Sequence, residues 1–430
     1  MIAAIGRSMR ATIHFKFGYR EYVLGILVLG YAVQYLNRQV TIVMAQPIKA
    51  EFALSDAQLG LLTGFVFSIP CALMIFPAGM IVDRVNRRNL LIIALSIWSC
   101  LTAITGLVHG LFQLAGLRAF IAVAEAPNNP NSLSMLADLY DRPHRATAAG
   151  IYYGGPVLAA LLGFPLIAFV GDKFGWRAGF VAAGLPGLLL AVVIYLTIRE
   201  PIRERTAASD DRAPPLKDAF RILSRQKSVL HFIAAITISV VVSSGTSAFM
   251  VPLLMRKHGM SLSEAGLSIS LCYGITTLIA HILGGLLADR LAQEDLRWYA
   301  WFPAIAAGAG CIFMISGIMS ASVVLTLAAL TLSGLTAGIQ FGPVMGSLQS
   351  LVIPRMRGVA TSSVSFFTNL VGGGVGPLIV GILSDVYMPW SGIRSLGWAL
   401  ATISLLGIWA LFHYLRAAKT IISDFAAVRL

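Results

Sequence analysis

FPAGMIVDRVNRR (76–88) ends one long apolar run, and LGGLLADRLAQED (283–295) ends another. In both, small and aliphatic residues give way to an Asp-Arg pair where the chain leaves the apolar stretch. A second pair of segments repeats in the same sense: RATAAGIYYGGP…VGDKFGWR (145–177) has its partner in RGVATSSVSFF…GPLIVGILSD (357–385). Asp83 and Asp289 lie almost as far apart as Arg145 and Arg357, so the chain repeats one layout twice. Parallel repeats of this kind surround a central cavity in membrane carriers.

The composition agrees. Of 430 residues, 57% are hydrophobic and only 12% charged, against about 25% charged in a soluble domain; the mean hydropathy is +0.81. About 20 apolar residues span the hydrocarbon core. Read on that basis, the sequence predicts twelve spans, near 20–45, 57–82, 89–109, 112–138, 145–171, 177–198, 229–255, 262–288, 297–319, 321–351, 357–386 and 394–416. The expected fold class is an all-α membrane protein: a six-helix bundle over 1–198, a cytoplasmic linker over 199–228 and a second bundle over 229–430. The linker is charged and carries Pro214-Pro215, which marks it as a connector. Its segment PLKDAFRIL is read as a short amphipathic helix on the membrane surface.

The net charge of +13 invites a nucleic-acid reading, which its placement excludes. With the N-terminus inside, the basic residues of the N-terminal segment, the linker, the C-terminus and every even-numbered loop fall on one side. Only Lys49, Lys173, Arg177, Arg256, Lys257 and Arg394 fall on the other. The positive-inside rule fits that orientation alone. The expectation is a multi-pass protein of the cell membrane (the inner membrane in a Gram-negative cell) with both termini cytoplasmic and no cleavable signal core. Cys71, Cys100, Cys272 and Cys311 all lie in apolar segments and suggest neither a metal site nor a disulfide framework.

Arg38 and Arg118 are the basic residues left inside the membrane, and Glu125 joins them. A charge at the bilayer centre costs about 2.5–3.5 kcal/mol on insertion scales, and such groups face a bundle interior or a wet cavity. Arg118 and Glu125, two helical turns apart, share a face with about 10 Å of rise between them. Arg118 is long enough to bridge most of that gap, so a direct ion pair is expected. Arg forks suit phosphate and carboxylate. The three groups therefore read as a binding and proton site, with a buried structural ion pair as the alternative. Tyr152, Tyr153, Phe249 and Phe341 are candidates to line an apolar space. Gln340 and Asn369 supply neutral polar groups from the second half.

Several of these segments resemble a known family. GMIVDRVNRR (79–88) is similar to the loop 2–3 motif of the major facilitator superfamily, with a degenerate copy at Gly285–Arg290. A narrower resemblance, to the spinster-like branch, rests on YLNRQ (35–39), LSDAQLGLLTG (54–64), RAFIAVAEA (118–126), GWRAGFVAAGLPGLLLA (175–191) and REP (199–201). It covers the first half better than the second. The resemblance implies a proton-linked carrier, with lysophospholipids or sphingosine phosphate as the cargo of its better-known members. It also implies a gate. Asp83 should face the N-terminal end of the eleventh helix, and Arg87 or Arg88 should reach Asp138; Arg84, Asp289 and Arg290 complete the two motif copies. Two positions depart from the pattern: Asn37 stands where the family usually has Asp, and Ala124 where it has Gly. Asn cannot lose a proton, which leaves Glu125 as the proton-coupling group.

The resulting expectation is alternating access driven by the proton gradient, with no cofactor. The cargo would be an amphipathic anionic or zwitterionic solute such as a lysolipid or sphingoid phosphate. The expected partners are that solute and the bilayer, with no nucleic acid, and the chain is expected to act as a monomer. Two alternatives stay open. The partial GxxxGGP pattern at 150–156 favours an amphiphile antiporter, and the Arg followed by an EAP segment in the fourth span also suits a small-organic-anion carrier. HExxH, GxSxG and catalytically spaced carboxylate pairs are missing from the sequence, which argues against an enzyme; no repeated selectivity element suggests a channel.

Overall fold

The computed structural model describes residues 18–200, 223, 226–352 and 356–429. PLKDAFRIL lies, but for Leu223, outside the described residues, as do the side chains of Asp83 and Arg357. Nine stretches are long and apolar enough to cross a membrane among the described residues, and one of them, Ala360–Ala426, takes in two spans, the eleventh and the twelfth. Tyr19–Val43 and the broken pair Leu111–Glu125 and Asn128–Leu139 complete twelve. Those two spans are also the ones that carry Arg38, Arg118 and Glu125, so their polarity comes from the candidate site itself.

Half of the spans are interrupted. The second runs as Asp56–Thr63 and Phe65–Arg84, broken at Gly64, where an added Cβ would lie 2.4 Å from the Gly374 carbonyl oxygen. The fourth breaks at Ala126-Pro127, where proline removes a backbone donor. The fifth, eighth and eleventh each contain a short π-helical segment, at Ala159–Gly163, Ser270–Ile275 and Thr368–Gly373. One extra residue per turn re-aims side chains there, a device frequent at functional sites. The twelfth runs as Ser395–Ser404 and Leu406–Arg429, well past the expected end near 416. Leaving the membrane does not end a helix: Asp424 accepts hydrogen bonds from the Ser228 amide (2.8 Å) and hydroxyl (2.5 Å) and ties the extension to the start of the seventh span.

Large apolar side chains cover the outside, Phe112 at 92% exposed and Val324 at 74% among them. Such a belt belongs in lipid. The buried apolar residues form three clusters. One, around Trp98, Met135 and Ile194, lies within the first half; another, around Phe232, Val344 and Tyr414, lies within the second. The third joins the halves, placing Met44, Ile48, Leu59 and Leu62 against Leu253, Leu262, Val380 and Leu400. It sits at the end of the bundle away from the termini, here called the outer end. There Asp56–Thr63 packs on Gly374–Ser391, and Phe164–Phe174 on Leu262–Ile269. Backbone meets backbone at Gly60, where a Cβ would fall 2.2 Å from the Pro377 carbonyl oxygen. The halves thus share a core at the outer end and keep separate cores at the inner end. The bundle is closed at its outer end.

Candidate functional site

The break in the fourth span leaves the Glu125 carbonyl free of its helix. Gln34 on the first span donates to it at 3.1 Å, and Asn128 donates to Gln34 at 2.6 Å. This stitch holds the first and fourth spans in register, so Arg38, Arg118 and Glu125 meet between them. Asn37, Arg118 and Glu125 are buried.

The charges do not pair as expected. Among the described residues no ion pair joins Arg118 to Glu125. Arg118 instead donates to the Arg38 carbonyl oxygen at 2.8 Å and lies over the Phe67 ring, 4.7 Å from its centroid. The Arg38 guanidinium lies over the same ring at 4.6 Å. A ring face attracts a cation by about 0.5–2 kcal/mol, so one phenyl group holds two like charges. The Arg38 carbonyl and the Phe67 ring draw the guanidinium away from Glu125. Among the described residues, two Arg118 nitrogens, one Glu125 oxygen and both Asn37 side-chain amide atoms have no hydrogen-bond partner. Both guanidinium groups remain within electrostatic reach of the Glu125 carboxyl.

Arg38 also crosses to the other half, donating to Asn369 Oδ1 at 3.3 Å. Asn369 sits in the π-helical segment of the eleventh span and donates to the Ser365 carbonyl at 2.8 Å. The other candidate lining residues lie apart from this cluster. Tyr152 is buried, stacked on Tyr31 at 4.9 Å, with its hydroxyl donating to Asn129 at 2.6 Å; Tyr153 is half exposed beside them. Phe249 belongs to the buried cluster that joins the halves. Gln340 accepts from Ser239 at 2.7 Å inside the second half. Phe341 packs on His281 with centroids 5.4 Å apart.

At the inner end, Arg87 is buried and ion-paired with Asp138, with Glu200 Oε1 3.0 Å from its Nε, and it donates to the Ser134 hydroxyl at 3.1 Å. Glu200 also accepts from the Arg88 amide at 2.7 Å, at the N-terminus of Arg87–Thr105, where a carboxylate is favoured. The Arg88 guanidinium lies over Tyr195, and Arg84 is exposed. In the second copy, Asp289 accepts from the Tyr299 hydroxyl at 2.8 Å and Arg290 is exposed. Replacing Arg87 by Ala strands two carboxylates. The expected loss is about 2–3 kcal/mol, below that of a fully buried pair because Glu200 is partly exposed. It is read as a lower unfolding midpoint in detergent. Arg87→Lys should recover part of it, since a point charge cannot serve both acids in a fork.

A clasp that the sequence reading passed over closes the outer end. Asp56 is fully buried. It takes both arms of the Arg256 fork at 2.8 Å each, the Lys49 ammonium, and the Ser384 hydroxyl at 2.7 Å. Asp385 accepts from the Asp56 and Ala57 amides at 3.0 and 2.8 Å, capping the helix that begins there. Arg256 also donates to Gln46 at 2.8 Å. Lys49 and Arg256 read as loop charges in the sequence. Ser55-Asp56, a helix-start signal beside two outer cations, was the available hint.

The fold is shared with known proteins. The family model described as Major Facilitator Superfamily matches residues 27–377. The chain belongs to that superfamily. Its members are transporters, and so is this chain, as a multi-pass membrane protein. It is 30% identical over 406 residues to an MFS-type efflux pump of Mycolicibacterium smegmatis (strain ATCC 700084 / mc(2)155), covering 92% of each chain. It is 24% identical over 395 residues to the hexuronate transporter of Bacillus subtilis (strain 168), covering 90% of this chain and 93% of that one. Among solved structures it resembles a bacterial homologue of the human lysosomal transporter Spinster in an inward-facing, unoccupied conformation. The TM-score is 0.87 at 27% identity, over 95% of this chain and 99% of that one. The spinster-like resemblance thus extends to the whole superfamily fold.

Proposed function

We propose that this transporter carries an amphipathic anionic or zwitterionic solute, such as a lysolipid or sphingoid phosphate, in step with protons. What carries the reading is the charged trio: two guanidinium groups sharing the Phe67 ring, with a carboxyl beside them that pairs with neither. With Asn37 neutral, the trio has a net charge of +1, which becomes +2 when Glu125 is protonated. An anionic head group and the ionised Glu125 compete for the same cations, so protonation tightens anion binding, and bound anion favours protonation. Tyr31, Tyr152 and Tyr153, packed on one another apart from the trio, would offer an aromatic surface to a molecule with a tail. Proton gradient and solute suffice, without a cofactor, and the chain acts as a monomer in the cell membrane with both termini cytoplasmic.

The hexuronate relative favours a second reading, a small organic anion held by the same cations. Both readings are tested by binding a lysolipid panel to purified protein at two pH values. Affinity for anionic lysolipids should rise on acidification by about 5–150-fold and grow with chain length, and Arg118→Ala should abolish head-group selectivity. Affinity that ignores chain length while sugar acids bind would favour the small-anion reading. Affinity that falls with acid would favour the antiporter.

A further inference from the structure

At the outer end of the second half, a pocket of about 460 Å³ is lined by Leu253, Arg256, Lys257, Ile318, Met319, Ala321, Ile393, Arg394, Gly397 and Trp398. Its volume lies within the range of ligand sites. Among the described residues no carboxylate lines it; three cations do. Arg256 is spent on Asp56 and Gln46. Lys257 gives two protons to the Ile318 and Ser320 carbonyls and keeps one. Among the described residues Arg394 has no hydrogen-bond or ion-pair partner. Gly397 belongs to the first turn of Ser395–Ser404, so the positive end of that helix adds to the field.

The remaining lining is apolar, and the rim is aromatic. Trp390 and Trp398 are exposed, 6.4 Å apart between centroids, with Tyr387 packed on Trp390. Such rings mark the membrane–water interface. The pocket therefore sits where a molecule with its head in water and its tail in lipid would enter.

We propose that this pocket is a second binding site, for a single-chain anionic amphiphile. Arg394 and the free proton of Lys257 hold its phosphate or carboxylate, and Leu253, Ile318, Met319 and Ile393 hold its chain. A single chain suits the volume better than the two tails of a bilayer phospholipid. The site is separate from Glu125 and stands or falls without it.

The test uses lysophosphatidylglycerol carrying a photoreactive group in its tail, on the full chain in phosphatidylcholine nanodiscs, with labelled peptides mapped by mass spectrometry. Label should appear within 318–321 and 393–398 and fall by at least about tenfold in Arg394→Gln. Among the described residues Arg394 makes no hydrogen bond or ion pair whose loss would unfold the protein. Gly397→Leu, whose side chain enters the pocket, should block the label, whereas Arg118→Ala should leave it intact. Label confined to other segments would overturn the proposal, as would equal labelling by a neutral monoacylglycerol probe. Displacement by two-chain phosphatidylglycerol as effective as by lysophosphatidylglycerol would show a bilayer-lipid site and overturn the single-chain assignment.

Discussion

Asp56→Ala should open the outer end. The carboxylate is fully buried and is the one acid that Arg256, Lys49 and Ser384 converge on. Removing one partner of a buried pair costs about 3–5 kcal/mol. Here the stranded cations are partly exposed and regain water once the end opens, so the loss falls almost wholly on the closed state. A shift of about 3 kcal/mol changes the closed-to-open ratio by roughly a hundredfold. The measurement is the rate at which a membrane-impermeant maleimide, added from outside, alkylates a cysteine placed at buried Leu59, in a chain lacking its native cysteines. The rate should rise by about that factor and net transport should fall. Gly60→Leu removes the same closure by a different route, through its clash with Pro377. It should raise alkylation without changing any charge. If both variants label at the parent rate, the shared outer core closes the cavity without help from the clasp.

The difference between what was legible in the sequence and what was not follows from range. The twelve spans were readable because each is a local run of apolar residues. The two halves were readable because the Asp83 and Asp289 segments repeat, and Arg38, Arg118 and Glu125 because a charge inside an apolar run is conspicuous. The clasp joins Asp56 to Arg256, Ser384 and Asp385, and nothing near any of these residues points to the others. Phe67 is similar: an aromatic in a membrane helix signals nothing until two guanidinium groups are found on its face. The π-helical segment that aims Asn369 at Arg38 adds a residue to a turn without altering composition or period enough to show. The missing Arg118–Glu125 pair has the same origin. Spacing along one helix set the gap, while the first span supplied the carbonyl that took the guanidinium.

Glu125→Gln should leave binding intact and remove its pH dependence. Glutamine matches the protonated acid in shape, and the packing contact at this position is made by the backbone carbonyl, through Gln34. One side-chain oxygen has no partner to lose, so the variant should fold as the parent does. The parent's affinity for an anionic lysolipid should rise as pH falls, because each proton taken up by Glu125 frees positive charge for the head group. The variant is held on the acid limb at every pH. Its affinity should match the parent's low-pH value and stay flat, and a proton gradient should no longer drive accumulation in vesicles. Glu125→Asp keeps a titrating group and should keep a pH profile, displaced but present. A flat profile with Gln and a retained one with Asp assigns the proton to this carboxyl. A parent-like profile with Gln would move it elsewhere and leave the trio as a fixed anion site. The direction of the parent's own profile settles the remaining choice, since a cationic cargo competes with protons and would bind more weakly as the medium is acidified.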